Sequence, residues 1–191
     1  GFTAAKLFKG LGANVIGYAL DPYTKKDNFV LSGLENKIVD IRGDIRDKKH
    51  LKEVFDKYKP EFVLHLAAQP LVRLSYDNPV ETYETNVMGT VNILECIRRN
   101  ALNKPLSVVN VTTDKVYENK EWEWGYRENE PLDGFDPYSN SKSCSELVTH
   151  SYKKSFLDDM GVSVSTARAG NVIGGGDFAE NRIIPDCIRA A

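Results

Sequence analysis

The chain has 191 residues, of which 41% are hydrophobic and 27% charged, and its formal net charge is −2. This composition is typical of one ordinary globular domain with a sizeable core, and it excludes the disordered and fibrous classes. Positive and negative side chains are interspersed, so no basic stripe predicts a nucleic-acid partner.

The hydrophobic pattern predicts strands and helices that alternate along the chain. The predicted strands are 14–20, 38–41, 61–67, 108–112 and 162–167. The predicted helices are 3–11, 51–58, a long one from Pro79 through Ile97, one that starts near Tyr138 and one that opens at Pro185. Strands rich in valine and isoleucine, separated by helices, indicate a parallel sheet covered on both faces, which is a doubly wound α/β fold.

The cysteines and histidines predict neither a disulfide frame nor a metal site. Cys96, Cys144 and Cys187 are odd in number and far apart, which is typical of reduced residues in a cytoplasmic protein. His65 lies in an apolar run, where we expect a buried, hydrogen-bonded core histidine rather than a metal ligand. No apolar run is long enough for a membrane span and no signal-peptide pattern opens the sequence, so we expect a cytoplasmic protein without a membrane partner.

Polar or small residues follow each predicted strand. Ligands of doubly wound sheets bind beyond the carboxyl ends of the strands. The residues at those ends are Asp21, Asp44, Ala67, Ala68, Gln69, Thr112, Thr113, Asp114, Lys115, Ala169, Gly170 and Asn171. A turn or a helix cap explains each of them alone, but five such ends in one chain favour a nucleotide crevice.

Asp21 and the ends of the chain bear on the cofactor. A carboxylate that closes the second strand of a dinucleotide fold accepts hydrogen bonds from both ribose hydroxyls and repels a 2′-phosphate, so Asp21 favours NAD over NADP. The glycine-rich turn of such folds is missing, and Gly1 falls where its last glycine would stand. We therefore expect a piece of a longer protein, cut at both ends. Residues 1–170 would be an NAD-binding domain without its first strand, and 171–191 would open a substrate-binding region.

Tyr138 and Lys142 lie one helical turn apart, so both side chains point the same way. An ammonium at this place stabilises a phenolate, and a phenolate can take the proton of a sugar hydroxyl. Chance alone gives about 0.75 tyrosine–lysine pairs at this spacing, so a packed aromatic beside a solvated lysine is the alternative. The preceding Asp136 and Pro137 and the apolar periodicity that follows favour a helix start at Tyr138.

Asp114 and Lys115 add an acid and a base to this redox pair. Removing water from an oxidised sugar needs one group that takes a C–H proton and another that protonates the leaving hydroxyl. The two adjacent side chains supply both kinds of group.

Five segments carry a family resemblance: 65–73, 85–90, 113–117, 136–142 and 168–177. They resemble the extended short-chain dehydrogenases/reductases, which have a Rossmann-like fold, and among them the nucleotide-sugar 4,6-dehydratases. Related dehydratases commonly have glutamate where Lys115 stands, so the Asp114 and Lys115 pair points to members that act on CDP-glucose. The aromatic stretch 122–126 supports the same assignment, although without the resemblance it is interpreted as loop packing.

The resemblance implies a role for each candidate residue. Tyr138, assisted by Lys142, takes the proton of the 4-hydroxyl while tightly held NAD accepts the C4 hydride, and Thr113 hydrogen-bonds that oxygen. Lys115 removes the C5 proton and Asp114 protonates the departing C6 hydroxyl, after which the hydride returns to C6. To act as a base Lys115 must be neutral, which requires burial or a neighbouring positive charge.

The resemblance also implies binding residues and partners. The cofactor side comprises Gly1, Asp21, Asp44, Ile45, Leu66, Ala67, Ala68, Gln69, Thr112, Tyr138 and Lys142. Asn171 and Arg182 face the sugar nucleotide, and Asn86 is structural or assists the Tyr138–Lys142 proton network. A homodimer or homotetramer through the helices of Asn86 and Tyr138 is expected by analogy.

Two rival hypotheses stay open. The first is another nucleotide-sugar enzyme of the same fold, either an epimerase or a dehydratase that acts on a different base. The second, from another class, is a catalytically silent NAD-binding fragment.

Overall fold

A computed structural model of the chain describes residues 1–100, 106–174, 176–178 and 181–191. Its strands are β1 (Ile16–Ala19), β2 (Val39–Arg42), β3 (Phe62–His65), β4 (Ser107–Thr113) and β5 (Ser163–Ala169). Its α-helices are α1 (Phe2–Gly10), α2 (Asn28–Leu31), α3 (Lys48–Tyr58), α4 (Val72–Asp77), α5 (Pro79–Tyr83), α6 (Gly89–Asn100), α7 (Pro137–Tyr152) and α8 (Ile183–Ala190). The predicted strands and helices are all present, whereas α2 and α4 were not predicted.

The strands pair in parallel throughout. β1 pairs with β2 in one sheet, and β3, β4 and β5 form a second sheet in that order. In the usual doubly wound order 3-2-1-4-5-6, strands 2 and 3 pair with each other and strands 4, 5 and 6 form a run. The two sheets reproduce those pairings, so the predicted doubly wound class is confirmed.

The chain forms two compact units, which are considered separately below. The first unit comprises Gly1–Asp44 and Asn171–Ala191, and the second comprises Ile45–Gly170. Compactness does not reveal which residues bind cofactor or substrate, so the functional boundary at residue 170 stays a prediction. In the second unit, α3 and α6 supply the apolar core together with the strands, through buried residues such as Leu51, Leu94, Ile97, Val108 and Val164, whereas the buried face of α7 is polar.

Aspartates cap the starts of two helices in the second unit, α3 and α7. The carboxylate of Asp47 accepts hydrogen bonds from the backbone N–H groups of Lys49 and His50 at the start of α3. Asp136 caps α7 in the same way, accepting from Ser139 N at 2.9 Å, and Pro137 stands at the first helical position. These caps satisfy N–H groups that the helix itself leaves unpaired, so they determine where Tyr138 lies in its helix.

A π-helical turn joins α5 to α6. It spans Glu84–Met88, so the helix that was predicted from Pro79 onward continues to Asn100 with one wide turn in it. Such turns are rare and occur frequently at functional sites. Asn86 lies in the middle of this turn and is almost completely buried.

His65 belongs to a buried polar cluster between the sheet and helices α6 and α7. Its Nε2 lies 3.0 Å from Thr90 Oγ1, whose single proton is donated to the Asn86 carbonyl at 2.7 Å. The imidazole must therefore donate from Nε2 to Thr90. Burial, followed by the charge of Lys142, lowers the pKa of His65 to about 3. The prediction of a hydrogen-bonded core histidine is confirmed.

The described part of the chain contains no helix that is both long and apolar enough to cross a membrane. Within the same residues, no group of three or more potential metal ligands gathers. Cys96, Cys144 and Cys187 are all free thiols.

Candidate active site

A short 3-10 turn, Asp114–Val116, follows β4 directly. Thr113 caps it, because its Oγ1 accepts from Lys115 N at 3.4 Å and donates to Asp114 Oδ1 at 3.0 Å. Thr113 is buried, whereas Asp114 and Lys115 are exposed. The turn therefore presents a carboxylate and an ammonium to solvent from a fixed backbone.

Helix α7 brings Tyr138 and Lys142 to the same edge of the sheet. Because α7 leads back to the start of the parallel strand β5, its first turn lies at the carboxyl ends of the strands. The helix packs against β4 and against the 3-10 turn, and Ser143 Oγ donates to the Val116 carbonyl at 2.8 Å. The structure thus brings the predicted Tyr138 and Lys142 pair to the edge where Thr113, Asp114 and Lys115 stand.

Lys142 is only 4% exposed, and its ammonium donates to the carbonyl oxygen of Val111 at 3.2 Å. Burial lowers its pKa to about 8, and the negative charge of Glu146 opposes that shift. The charge of this ammonium is therefore sensitive to its surroundings in the neutral pH range.

The first turn of α7 is held from two sides. Tyr138 N donates to Ser75 Oγ on α4 at 3.1 Å. On the other side, a Cβ on Gly134 would stand 2.3 Å from the carbonyl carbon of Ser139, so only glycine permits this close approach. Gly134 N also donates to Ser143 Oγ at 3.0 Å. These contacts position Tyr138 through its backbone.

Asn86 joins the loop after β3 to α7. Its Oδ1 accepts from Gln69 N at 2.8 Å, while its Nδ2 donates to the Gln69 carbonyl at 3.1 Å and to Ser141 Oγ at 2.9 Å. The Gln69 side-chain amide binds Leu71 and Thr82 instead of pointing outward. Gln69 consequently shapes the loop, whose exposed residues at the strand end are Leu66 and Ala67, with Ala68 half-buried.

The remaining cofactor and substrate candidates lie mostly in the first unit. The Asp21 side chain is 87% exposed at the end of β1, with Arg42 Nε 3.9 Å from its Oδ1. Arg42 itself is held by Asp40 at 2.6 Å and by the Leu20 carbonyl at 2.8 Å. The other candidates of this unit are Gly1 at the start of α1, Asp44, whose carbonyl binds the Tyr18 hydroxyl at 2.8 Å, exposed Asn171, and Arg182, which lies 3.4 Å from Asp177.

Two predicted cofactor residues have inward side chains, and one buried carboxylate was not predicted. The hydroxyl of Thr112 turns inward and donates to Glu146 Oε1 at 2.5 Å, and its cofactor role stays a prediction. Ile45 is buried in the second unit, against Gly89. Sequence reasoning missed Glu146, although it follows Lys142 by one further helical turn and shares its face. Gly175, within the resemblance segment 168–177, lies outside the described residues.

The fold is that of the Rossmann-like extended short-chain dehydrogenases/reductases. A family model described as GDP-mannose 4,6 dehydratase matches residues 12–190, so the chain belongs to that family.

Two curated proteins from Salmonella are similar in sequence to this chain. The CDP-glucose 4,6-dehydratase of Salmonella typhimurium is 52% identical over 185 residues, covering 94% of this chain and 51% of the relative. The CDP-paratose 2-epimerase of Salmonella typhi is 31% identical over 154 residues, covering 73% and 44%. The chain thus spans about half the length of the curated relatives that it matches.

Two solved structures of nucleotide-sugar enzymes superpose on this chain. A dTDP-glucose 4,6-dehydratase of Streptomyces venezuelae, a double mutant solved with NAD and DAU bound, superposes with a TM-score of 0.80 at 25% identity, covering 98% of this chain and 57% of that one. A UDP-glucose 4-epimerase of Thermus thermophilus in complex with NAD gives a TM-score of 0.78 at 25% identity, covering 92% and 53%.

Proposed function

We propose that the protein containing this chain catalyses the NAD-dependent dehydration of CDP-glucose to CDP-4-keto-6-deoxyglucose, a step of deoxysugar biosynthesis. One observation carries the proposal: α7 sets Tyr138 and a buried Lys142 at the sheet edge where Asp114 and Lys115 project into solvent. The 52% identity to a CDP-glucose 4,6-dehydratase supports the choice of nucleotide.

The residues of the chain fit NAD. The exposed carboxylate of Asp21 is open to the two hydroxyls of an adenosine ribose, and Ala67 and Ala68 leave room for a cofactor beside the loop after β3. NAD, when bound, supplies the acceptor for the C4 hydride and the donor that returns it to C6.

Tyr138 and Lys142 serve the oxidation. The phenolate of Tyr138 takes the proton of the sugar 4-hydroxyl, and the neighbouring ammonium favours the phenolate over the phenol. Thr113 hydrogen-bonds the same sugar oxygen, which requires its hydroxyl to turn away from Asp114 Oδ1. Ser75 and Gly134 hold the helix start, so the phenol does not have to be ordered when substrate arrives.

Asp114 and Lys115 serve the elimination. Once C4 is a ketone, the C5 proton is acidic, and Lys115 removes it while Asp114 protonates the departing C6 hydroxyl. The protonated Lys115 then returns a proton, exchangeable with solvent, to C5 as C6 receives the hydride. Both side chains are exposed and therefore within reach of a bound sugar. Lys115 acts as a base only as the neutral amine, and a sugar nucleotide bound over this exposed side chain excludes water from it.

The proposal extends to binding and assembly. Asn171 and Arg182 face the sugar nucleotide, and the protein is a cytoplasmic homo-oligomer, dimer or tetramer, that associates through the helices of Asn86 and Tyr138. Family likeness supports these statements. Light scattering on the full-length protein measures the assembly directly, and a monomer would contradict that part.

Isotope exchange on the full-length protein separates the two half-reactions. With CDP-glucose in D₂O, we expect the wild type to give a product that has lost one water and carries deuterium at C5. Asp114→Asn combined with Lys115→Met should still reduce bound NAD but form no dehydrated product, whereas Tyr138→Phe should suppress NAD reduction. Lys120→Met is the matched control, because Lys120 is a neighbouring exposed lysine that pairs with Glu118.

The same assay decides between the rival activities. Parallel reactions with dTDP-, GDP- and UDP-glucose should be slower than the reaction with CDP-glucose. Preferential turnover of another base would contradict the substrate, an epimer without water loss would favour the epimerase rival, and full dehydration by the Asp114→Asn/Lys115→Met variant would refute the acid–base assignment.

A further inference from the structure

Glu146 is a buried carboxylate next to the proposed active site, and the mechanism above gives it no role. It is 5% exposed and lies four residues beyond Lys142 on α7, so the two side chains share one helix face. Arg168 of β5 binds both of its oxygens at 3.1 Å, and Thr112 Oγ1 donates to Oε1 at 2.5 Å. A carboxylate removed from water in this way needs such partners to remain ionised.

Arg168 also holds the segment that leaves the 3-10 turn. Its Nη1 donates to the Glu128 carbonyl at 2.9 Å, and its guanidinium lies 4.8 Å from the ring centroid of Tyr117. Tyr117 in turn stacks on Tyr126 with their centroids 5.1 Å apart. The Glu146–Arg168 ion pair therefore connects the helix of Lys142 to the segment that follows Asp114 and Lys115.

The charge balance around Lys142 depends on this carboxylate. The ammonium donates to a neutral carbonyl, that of Val111, and burial lowers its pKa. Glu146 supplies the opposing negative charge, and hydrogen bonds from Arg168 and Thr112 offset the effect of burial so that the pKa of Glu146 is lowered. A neutral residue at position 146 would leave the Lys142 charge with less support.

We propose that Glu146, held by Arg168, is a positioning residue of this enzyme: it keeps Lys142 in its ammonium form beside Tyr138 and aligns α7 with the segment after β4. This inference rests on the proposed function, because it assigns Glu146 to the Tyr138–Lys142 step. Glu146 acts through Lys142 and touches no reacting atom.

Other titratable groups near Lys142 are accounted for as follows. The titratable groups around Lys142 include Tyr138 and Glu146 on α7, Asp114 and Lys115 on the 3-10 turn, Tyr83 on α5, His65 on β3 and Arg168 on β5. His65 stays neutral at working pH, because burial and the charge of Lys142 lower its pKa to about 3. Tyr83 binds Asn140, and burial raises its pKa, so it also stays neutral. The pH response of Lys142 consequently follows the Glu146–Arg168 pair most directly.

Two substitutions in the full-length protein should act in the same direction. Glu146→Gln removes the negative charge, so Lys142 loses its proton at lower pH, and the phenolate of Tyr138 loses support. Arg168→Met removes the main partner that keeps the buried Glu146 carboxylate ionised, so burial favours its protonated form and Lys142 again loses support. We expect the alkaline limb of the kcat–pH profile to move down by about one pH unit in the first variant and downward by a smaller amount in the second. The KM for CDP-glucose should change less than about threefold in both.

Glu95→Gln is the matched control. Glu95 is a largely buried carboxylate on α6 that binds Arg98 and Arg99, so its loss breaks a comparable ion pair on a different helix. It should lower stability without moving the pH profile. If both site variants keep the wild-type limb, or if either moves it upward, Glu146 is only a structural residue and the inference is overturned.

A measurement without substrate keeps the inference separate from the proposed function. The phenolate of Tyr138 absorbs in the ultraviolet. Its titration is obtained as the difference between a protein with Tyr138 and the same protein with Tyr138→Phe, once in the wild type and once in Glu146→Gln. We expect the phenolate to appear at higher pH in Glu146→Gln than in the wild type. An unchanged midpoint would overturn the inference even if the enzyme turns over CDP-glucose. Conversely, a shifted midpoint in a protein that fails to dehydrate CDP-glucose would refute the proposed function and leave the role of Glu146 towards Lys142 standing. If Glu146→Gln does not fold, Arg168→Met gives the same decision through a midpoint moved to higher pH.

Discussion

Lys142 carries a charge that its folded surroundings do not favour. Its ammonium is 4% exposed, and burial lowers its pKa from 10.5 to about 8, so the folded protein binds this proton less tightly than the unfolded chain by about 3 kcal/mol. Below pH 8 Lys142 is protonated in both the folded and the unfolded protein, so burial of its charge lowers the free energy of unfolding by the full amount. Between the two pKa values only the unfolded state stays protonated, so this contribution to stability recovers as pH rises.

Lys142→Met should therefore stabilise the protein while removing its activity. Glu146 keeps Arg168 and Thr112 as partners, so the substitution leaves no orphaned carboxylate. We expect the free energy of unfolding at pH 7 to rise by about 1–3 kcal/mol, with the gain fading towards pH 10. Urea unfolding at both pH values measures this, with exposed Lys115→Met as the neutral control. A variant that is less stable at pH 7 would contradict the cost assigned to the buried ammonium.

Asp21 and Arg42 give a second test at the residue scale, on cofactor choice. Asp21→Asn removes the charge-assisted hydrogen bonds to the ribose, so NAD should bind about 10- to 100-fold more weakly to the full-length protein. NADP should gain little, because Arg42 remains bound to Asp40 and the Leu20 carbonyl. Adding Asp40→Asn removes the charged partner of the guanidinium and leaves the Leu20 carbonyl, and only then should NADP binding improve. Calorimetric titration with both cofactors checks each step, and equal NAD affinity in Asp21→Asn would exclude the carboxylate as the ribose ligand.

At the scale of elements, the π turn sets the direction of the Asn86 side chain, which hydrogen-bonds to Gln69 and Ser141. A regular α-helix through Glu84–Met88 would turn the following residues by a different angle, so the bonds from Asn86 to Gln69 and Ser141 depend on the extra residue in this turn. Those bonds couple the loop after β3 to the helix of Tyr138. The wide turn thus contributes to the geometry of the site although it holds no proposed proton donor or acceptor.

Asn86→Ala should cost both stability and activity. It leaves the half-buried backbone N–H and carbonyl of Gln69 without their partner and removes a donor from buried Ser141, whose hydroxyl still donates to the Tyr138 carbonyl at 2.7 Å. This predicts a loss of about 2–4 kcal/mol and at least a tenfold drop in kcat for CDP-glucose. Asn92→Ala, further along the same helix, is the control. The buried Asn92 side chain donates to the Ile45 carbonyl at 3.1 Å, which lies before α3 and away from α7 in the sequence. Thermal unfolding and turnover should fall together for Asn86, whereas for Asn92 only the unfolding temperature should fall. Full turnover by Asn86→Ala would show that the loop and helix do not need this link.

Hydrophobic periodicity in the sequence predicted most of the strands and helices. The features that it did not predict depend on tertiary contacts. Valine-rich strands and the long amphipathic helix are local patterns, so β4 and the helix from Pro79 were found within a few residues. The π turn was not predicted, because the hydrogen-bond partners of Asn86 lie 17 and 55 residues away in the sequence. The Glu146–Arg168 pair likewise joins residues 22 apart, and the inward turn of Thr112 follows from it. Side chains whose role is set by such distant partners have no signature in local sequence.

At the scale of the molecule, the two compact units differ in how they are held together. Among the described residues, the fully buried hydrophobic side chains lie within 45–170, with Leu34 as the exception. Burying one large aliphatic side chain contributes about 1.5–3 kcal/mol. The first unit therefore depends mainly on the short β1–β2 pairing and on polar contacts, such as those of Arg42 with Asp40. Two-stranded pairings of this kind are marginal alone.

Hydrogen exchange on this chain should resolve that difference. Backbone amides of β1 and β2 should open with a free energy at least about 3 kcal/mol lower than those of β4, which corresponds to roughly a 100-fold lower protection. The reason is that β4 is paired on both sides and backed by α7, whereas β1 has one partner strand among the described residues. Exchange followed by mass spectrometry at two pH values, corrected by the rates of unstructured peptides of the same sequence, measures both strands in one sample. Equal protection of β1 and β4 would mean that the chain unfolds as one cooperative body despite its uneven core, and the stability of the site in the second unit could then not be treated apart from the first.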